Sequence, residues 1–148
     1  MKIIREDARV NLPTKRMGDG GFDLQAAIEA TLTIPPMQSA IVSTGLKVWL
    51  ENPKLVGFIL PRSKTGAKEG IILANSVGVL DSNYQGLLSL AVWNRNTDKD
   101  IVIRPMDKLA QLVVINLTSV EYTLVDDFGD VSERGETGIN CTDVRKIA

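Results

Sequence analysis

The chain has 148 residues with 17 basic and 18 acidic side chains, a net charge of −1, one cysteine and no histidine. Its length suits a single domain that buries about two-thirds of its unfolded surface without a metal or disulfide staple. Near-zero charge excludes a general attraction to nucleic acid or anionic membrane, the lone Cys141 excludes an internal disulfide, and the absence of histidine removes the usual general base and every Ser-His or Cys-His pair. Any hydrolysis therefore needs a carboxylate to handle the water, and any metal is expected to be a hard ion bound through oxygen.

The opening Met1 to Asp7 alternates charge and has no apolar signal core, and no apolar run approaches the ~20 residues of a membrane span. A cytoplasmic protein is expected. Turn signals then recur at short intervals: Pro13, Gly18-Asp19-Gly20-Gly21, Pro35-Pro36, Gly45, Asn52-Pro53, Gly66, Gly78, Gly86, Asn94-Arg95-Asn96 and Pro105. Short β-branched or apolar runs lie between them, including Ala40 to Val42, Leu46 to Leu50, Leu55 to Leu60, Ile101 to Ile103 and Leu109 to Leu117. This spacing predicts an all-β sandwich or barrel. Leu24 to Ala30 runs against the pattern, because its residues favour a helix. From Asp126 the chain turns polar and charged, which predicts a β-domain over 1–125 followed by a flexible tail over 126–148.

Several side chains are candidates for chemistry, and each has a plainer reading. Gly18 to Gly21 neither follows a clear strand nor opens a helix, so it is a turn and not a nucleotide fingerprint. Arg62 and Ser63 before Gly66 join a guanidinium and a hydroxyl to turn amides, a set that suits a phosphate oxygen and equally suits a surface turn. Asp81 and Tyr84, near the tip of a segment bounded by Gly78 and Gly86, suit a rigidly held site or a hairpin cap. Gln111 interrupts an apolar run, either facing solvent or donating to a ligand.

Taken in order, these stretches resemble the five motifs of the trimeric dUTP pyrophosphatases (dUTPases). The matching segments are Gly18 to Ala27 with Asp23, Pro61 to Gly66, Gly78 to Gly86, Asp107 to Leu112, and Arg134 to Gly138. The resemblance covers nearly the whole chain. It implies a jelly-roll-like all-β subunit with one short helical segment, three of which form a homotrimer with sites at the chain junctions. It favours strand over helix at Leu24 to Ala30.

The implied reaction is hydrolysis of dUTP to dUMP and pyrophosphate, which limits uracil in DNA and supplies dUMP for dTMP synthesis. Asp81 corresponds to the aspartate that holds the attacking water. Tyr84 matches the ring lying against the deoxyribose, where it leaves no space for a 2′-hydroxyl. Asn75 matches the amide at the uracil edge, with backbone near Val79, Leu80 and Ser89 completing base selection. Arg62, Ser63, Lys64, Gly66 and Gln111 correspond to the α- and β-phosphate contacts, and Arg134 to a γ-phosphate contact. Magnesium is implied on the triphosphate, with Asp23 holding it through a water.

The fifth motif departs from the family pattern. Thr137-Gly138-Ile139-Asn140 stands where glycine-glycine-aromatic-glycine is usual. Ile139 covers a base without stacking on it, and Thr142 is the hydroxyl left for the γ-phosphate. Met106 also replaces a usual glycine, and Lys64-Thr65 replaces smaller residues. Two rivals follow: a regulator with this fold that acts through a partner bound at the altered tail, and a deaminase of dCTP. The deaminase needs a glutamate after the third motif, and Leu87 to Trp93 contains no acidic residue.

Overall fold

The computed structural model describes residues 1–130 together with residues 132, 133 and 135. Ten strands follow one another: β1 (Lys2–Arg5), β2 (Phe22–Gln25), β3 (Leu32–Ile34), β4 (Ser39–Trp49), β5 (Leu55–Pro61), β6 (Ile71–Leu73), β7 (Gly78–Leu80), β8 (Leu87–Asn94), β9 (Ile101–Ile103) and β10 (Lys108–Asn116). A single π-helical turn, Thr65–Glu69, is the one helical element among the described residues. The all-β expectation holds, and so does that of one short helical segment.

Two four-stranded sheets, β1-β4-β8-β6 and β2-β10-β5-β7, are joined by a two-stranded ribbon, β3-β9. Every strand pair is antiparallel. Alternation along β8, where Leu88, Leu90 and Val92 are buried between more exposed neighbours, sends one face of the sheet inward. Leu90 and Val42 from one sheet, Leu24 and Leu112 from the other, and Ile34 and Ile103 from the ribbon share one apolar core. Each such side chain contributes about 1.5–3 kcal/mol on leaving water.

Asn94 is fully buried and fully satisfied. Its amide donates to the carbonyls of Ile34 and Lys99, each at 2.9 Å, and its oxygen accepts from the Asn96 backbone and side chain. An isosteric apolar residue would leave those two carbonyls unmet, at about 1–3 kcal/mol each.

Leu24 to Ala30 is neither a helix nor a full strand. Only Leu24 and Gln25 belong to β2, and Ala26 to Ala30 has no regular structure. The backbone bonds there are long-range: the Ala26 N–H donates to the Asp107 carbonyl at 2.9 Å, the Ala26 carbonyl accepts from Met106 at 2.8 Å, and the Ala27 N–H donates to Ser43 at 2.8 Å. These contacts outcompete local helix propensity. Among the described residues no strand follows Asn116 and no helix is long and apolar enough to cross a membrane.

Candidate active site

A cavity of about 200 Å³ lies between β7, the turn after it and the start of β8. Asn75, Val79, Leu80, Asp81, Tyr84 and Ser89 all line it, so six sequence-predicted residues meet on one wall system. Its volume falls below the ~300–1,000 Å³ usual for a whole small-molecule site, which suits one part of a larger ligand.

Local backbone bonding explains why these side chains converge. The expected hairpin between Gly78 and Gly86 is instead a link between the two sheets, because β8 pairs with β4 and β6 while β7 pairs with β5. That pairing places Gly78 opposite Ile59 and Leu80 opposite Gly57, so Val79 faces outward between two buried neighbours. The Tyr84 N–H then closes a turn onto the Asp81 carbonyl at 3.2 Å. Asn75 sits in a second tight turn, where Ser76 adopts a left-handed φ of 63° and its N–H reaches the Leu73 carbonyl at 3.0 Å. Asp81 is exposed, and no described group forms a hydrogen bond or ion pair with its carboxylate.

Tyr84 is held at its hydroxyl end. Its hydroxyl donates to the Leu87 carbonyl at 3.1 Å, and its ring lies over Gly86. A Cβ on Gly86 would collide with the Tyr84 hydroxyl and ring, so only glycine admits this ring position. Gly86 enters the site through that fit.

The remaining described candidates gather elsewhere, at one end of the β2-β10-β5 strands. Gln111 pairs with Asp23 on one side and Leu60 on the other, while Ala110 pairs with Pro61, so Arg62 follows directly from this row. The Arg62 Nε donates to Asp23 Oδ1 at 2.7 Å, and the Lys108 Nζ forms an ion pair with Asp23 Oδ2 at 2.8 Å. Partial burial pushes the Asp23 carboxyl up, but hydrogen bonds from Lys108 and Arg62, with their charges, outweigh it and leave the group below its ordinary value. The Gln111 Nε2 lies 3.4 Å from the Pro61 carbonyl.

The Arg62 carbonyl accepts from the Gly66 N–H at 2.9 Å and the Thr65 hydroxyl at 3.1 Å. That bonding closes the loop and leaves Ser63 and Lys64 exposed on its rim. Gly21 also serves this corner: a Cβ there would stand 3.1 Å from the Leu112 carbonyl and 3.2 Å from Gln111 Oε1, so its glycine lets the loop approach β10 closely.

The two groups lie far apart within one chain. Leu80 is opposite Gly57, so the next residue, Asp81, falls level with Val56, whereas Arg62 follows the other end of β5. Six residues of strand separate those levels, about 20 Å. Asp23, Arg62 and Gln111 are not on the wall of the Asp81 cavity. Arg134, Ile139 and Thr142 lie outside the described residues.

Met106 has a φ of 67°, in the left-handed region. This accounts for the glycine usual in that position, and a side chain there costs about 1–2 kcal/mol. Lys108 is absent from the sequence candidates because a lysine after a turn reads as a solvated face. The available signal was the order Lys108-Leu109-Ala110-Gln111, whose two adjacent apolar residues break strict alternation and mark a bulge.

Comparison with known proteins bears on the family and the fold. The dUTPase family model matches residues 8–142. A deoxyuridine 5′-triphosphate nucleotidohydrolase of Paraburkholderia phymatum is 43% identical over 143 residues, covering 96% of this chain and 95% of the relative. The chain belongs to the dUTPase family. A second dUTPase, from Herminiimonas arsenicoxydans, is 46% identical over 125 residues, with 84% and 83% coverage. Among solved structures, the dUTPase of Staphylococcus bacteriophage 80alpha with dUPNHPP superposes with a TM-score of 0.85 at 22% identity, over 97% of this chain and 98% of that one. A mutant of the dUTPase from phage phi11 of S. aureus, described for the coordination of a structural Mg(II) ion, gives a TM-score of 0.77 at 21% identity, with 87% and 98% coverage.

Proposed function

We infer that this dUTPase hydrolyses dUTP to dUMP and pyrophosphate. The observation that carries the reading is the Asp81 cavity, where a carboxylate with no partner among the described residues, a tyrosine ring tied through its hydroxyl and an exposed amide face one space sized for a nucleoside. Asp81 orients a water for in-line attack on the α-phosphorus and accepts its proton. The water oxygen bonds to phosphorus as the bridge to the β-phosphate breaks, and pyrophosphate leaves with the bridging oxygen's electron pair. A carboxylate is a weak base, so placing the water contributes as much as removing its proton.

Tyr84 cannot retreat from the sugar, because its hydroxyl is tied to Leu87 and its ring is seated on Gly86. A 2′-hydroxyl would meet that ring. Asn75 together with backbone at Val79, Leu80 and Ser89 reads the uracil edge, the fixed backbone refusing cytosine where an amide alone would flip to accept it. Arg62, Ser63, Lys64, Gly66 and Gln111 form the polyphosphate end and stabilise charge on the leaving group.

The donor set fits magnesium carried by the substrate. Among the described residues no group of three or more acidic, histidine or cysteine side chains could hold a metal ion, and Asp23 is the carboxylate that the family resemblance assigns to it. Its two oxygens engage Arg62 and Lys108, yet a carboxylate has about four lone-pair positions, enough to accept from a metal-bound water. When bound, magnesium neutralises phosphate charge.

Asp81 and Arg62 must flank one α-phosphate, and about 20 Å of strand divides them within a chain. The reading that satisfies both is a homotrimer in which one copy supplies the Asp81 cavity and another the Arg62 corner. Residues 1–125 make up the β-domain, and residues 126–148 are the tail that carries the remaining nucleotide contacts, Arg134, Ile139 and Thr142. Neither nucleic acid nor membrane is a partner, and a cytoplasmic place suits the substrate and the single cysteine.

Pyrophosphate release with Mg²⁺ across dUTP, UTP, dCTP and dTTP, with ammonia followed in parallel, tests the reading. Turnover of dUTP alone is expected. Ammonia from dCTP, or no turnover of dUTP by folded protein, would overturn it.

A further inference from the structure

Lys108 lies on β10 at a break in register: it pairs with Gln25, yet Ala110, two residues on, pairs with Leu24, adjacent to Gln25. The extra residue, Leu109, turns inward beside Ala110, and both are buried. In a regular strand Lys108 and Gln111 would face opposite sides. The bulge instead brings Lys108 to the face of Gln111 and Asp23, where its ammonium reaches Asp23 Oδ2 at 2.8 Å. Arg62 occupies the other oxygen of the same carboxylate.

The plainer reading is a solvated cross-strand ion pair, which contributes little to stability when exposed. Two features argue for more. Asp23 carries two cations where one would neutralise it, leaving net positive charge on the corner. Bulges also recur beside active sites, where they re-aim a side chain.

We propose that Lys108 is a positioning residue for the polyphosphate: the β10 bulge delivers it to Asp23, and from the far oxygen it holds that carboxylate, and through it the Arg62 guanidinium, in one preset arrangement. The inference rests on the reading of this corner as the phosphate end of the site. With Lys108 neutral, Asp23 is free to rotate and Arg62 loses its fixed direction, so a ligand must order both on binding.

Binding of the non-hydrolysable dUpNHpp and of deoxyuridine to full-length wild type, Lys108→Met, Lys108→Gln and Lys108→Arg tests this by calorimetry. Loss of the ion pair predicts up to about fivefold weaker dUpNHpp for both neutral variants. Deoxyuridine, which lacks phosphate, keeps its affinity in both; Lys108→Arg recovers most of the loss; and the kinetic defect appears in KM more than in kcat. Equal weakening of both ligands, or unchanged dUpNHpp affinity, overturns the proposal. Wild-type protein that fails to bind dUpNHpp would instead overturn the assignment of the corner, and this proposal with it.

Discussion

The cavity around Asp81 and the corner around Asp23 are both anchored to β5, yet they are held by different forces. In the cavity, main-chain turns and steric fit fix the side chains: Tyr84 closes onto Leu87, Asn75 rides a tight turn, and the Asp81 carboxylate has no described partner. At the corner, charge does the fixing, with one carboxylate gripped by a guanidinium and an ammonium. The difference follows from the ligand parts each faces. A base and sugar are told apart by shape and by fixed donors, whereas a polyphosphate is held by preset positive charge. A free carboxylate is also what a water-activating group needs, and a doubly paired one suits a counter-ion.

The sharpest way to break this contrast is at Asp81. Asp81→Asn is expected to cut kcat about a thousandfold with dUpNHpp affinity little changed, as for loss of a general base. Weakened analogue binding in step with lost turnover would show that Asp81 holds substrate and not water. At the corner the pattern should reverse: Asp23→Asn removes one charged partner from both cations and is expected to raise KM about thirtyfold, with a smaller change in kcat. Gly86→Ala attacks the shape-held side by displacing Tyr84. It is expected to reduce the preference for dUTP over UTP about tenfold, measured as a ratio of kcat/KM values, while thermal stability changes little. An unchanged ratio would mean that the ring adjusts and does not set sugar selectivity. The smallest effect is predicted for Ile139→Phe, where a stacking ring should lower KM for dUTP about fivefold, equivalent to ~1 kcal/mol.

The contrast also explains what could be read in the sequence. Asp81 and Tyr84 were legible because the turn that aims them lies within a few residues, between Gly78 and Gly86, whereas the roles of Asn75 and Ser89 came only through the family resemblance. The strand order was legible only as a class, since alternation and turn spacing do not say which strands pair. Helix propensity over Leu24 to Ala30 is overridden because its backbone partners, Ser43, Met106 and Asp107, are distant in sequence, and the strand that the resemblance favoured there stops at Gln25. Lys108 was hidden for a related reason: its role depends on a bulge against β2, and a bulge shows only as two neighbouring apolar residues. Met106 looked like a deviation from pattern, and its left-handed backbone supplies the physical meaning of that position.

The central claim is that the cavity and the corner, about 20 Å apart along β5, work together only between copies of the chain. Co-refolding Asp81→Ala and Arg62→Ala subunits in equal amounts and following pyrophosphate release from dUTP tests it most directly. If each site draws Asp81 from one copy and Arg62 from another, about one quarter of wild-type activity should return in the mixture, although each variant alone is nearly inactive. Activity no higher than the average of the two separate variants, with mixed oligomers shown to have formed, would place the whole site within one chain and contradict the account.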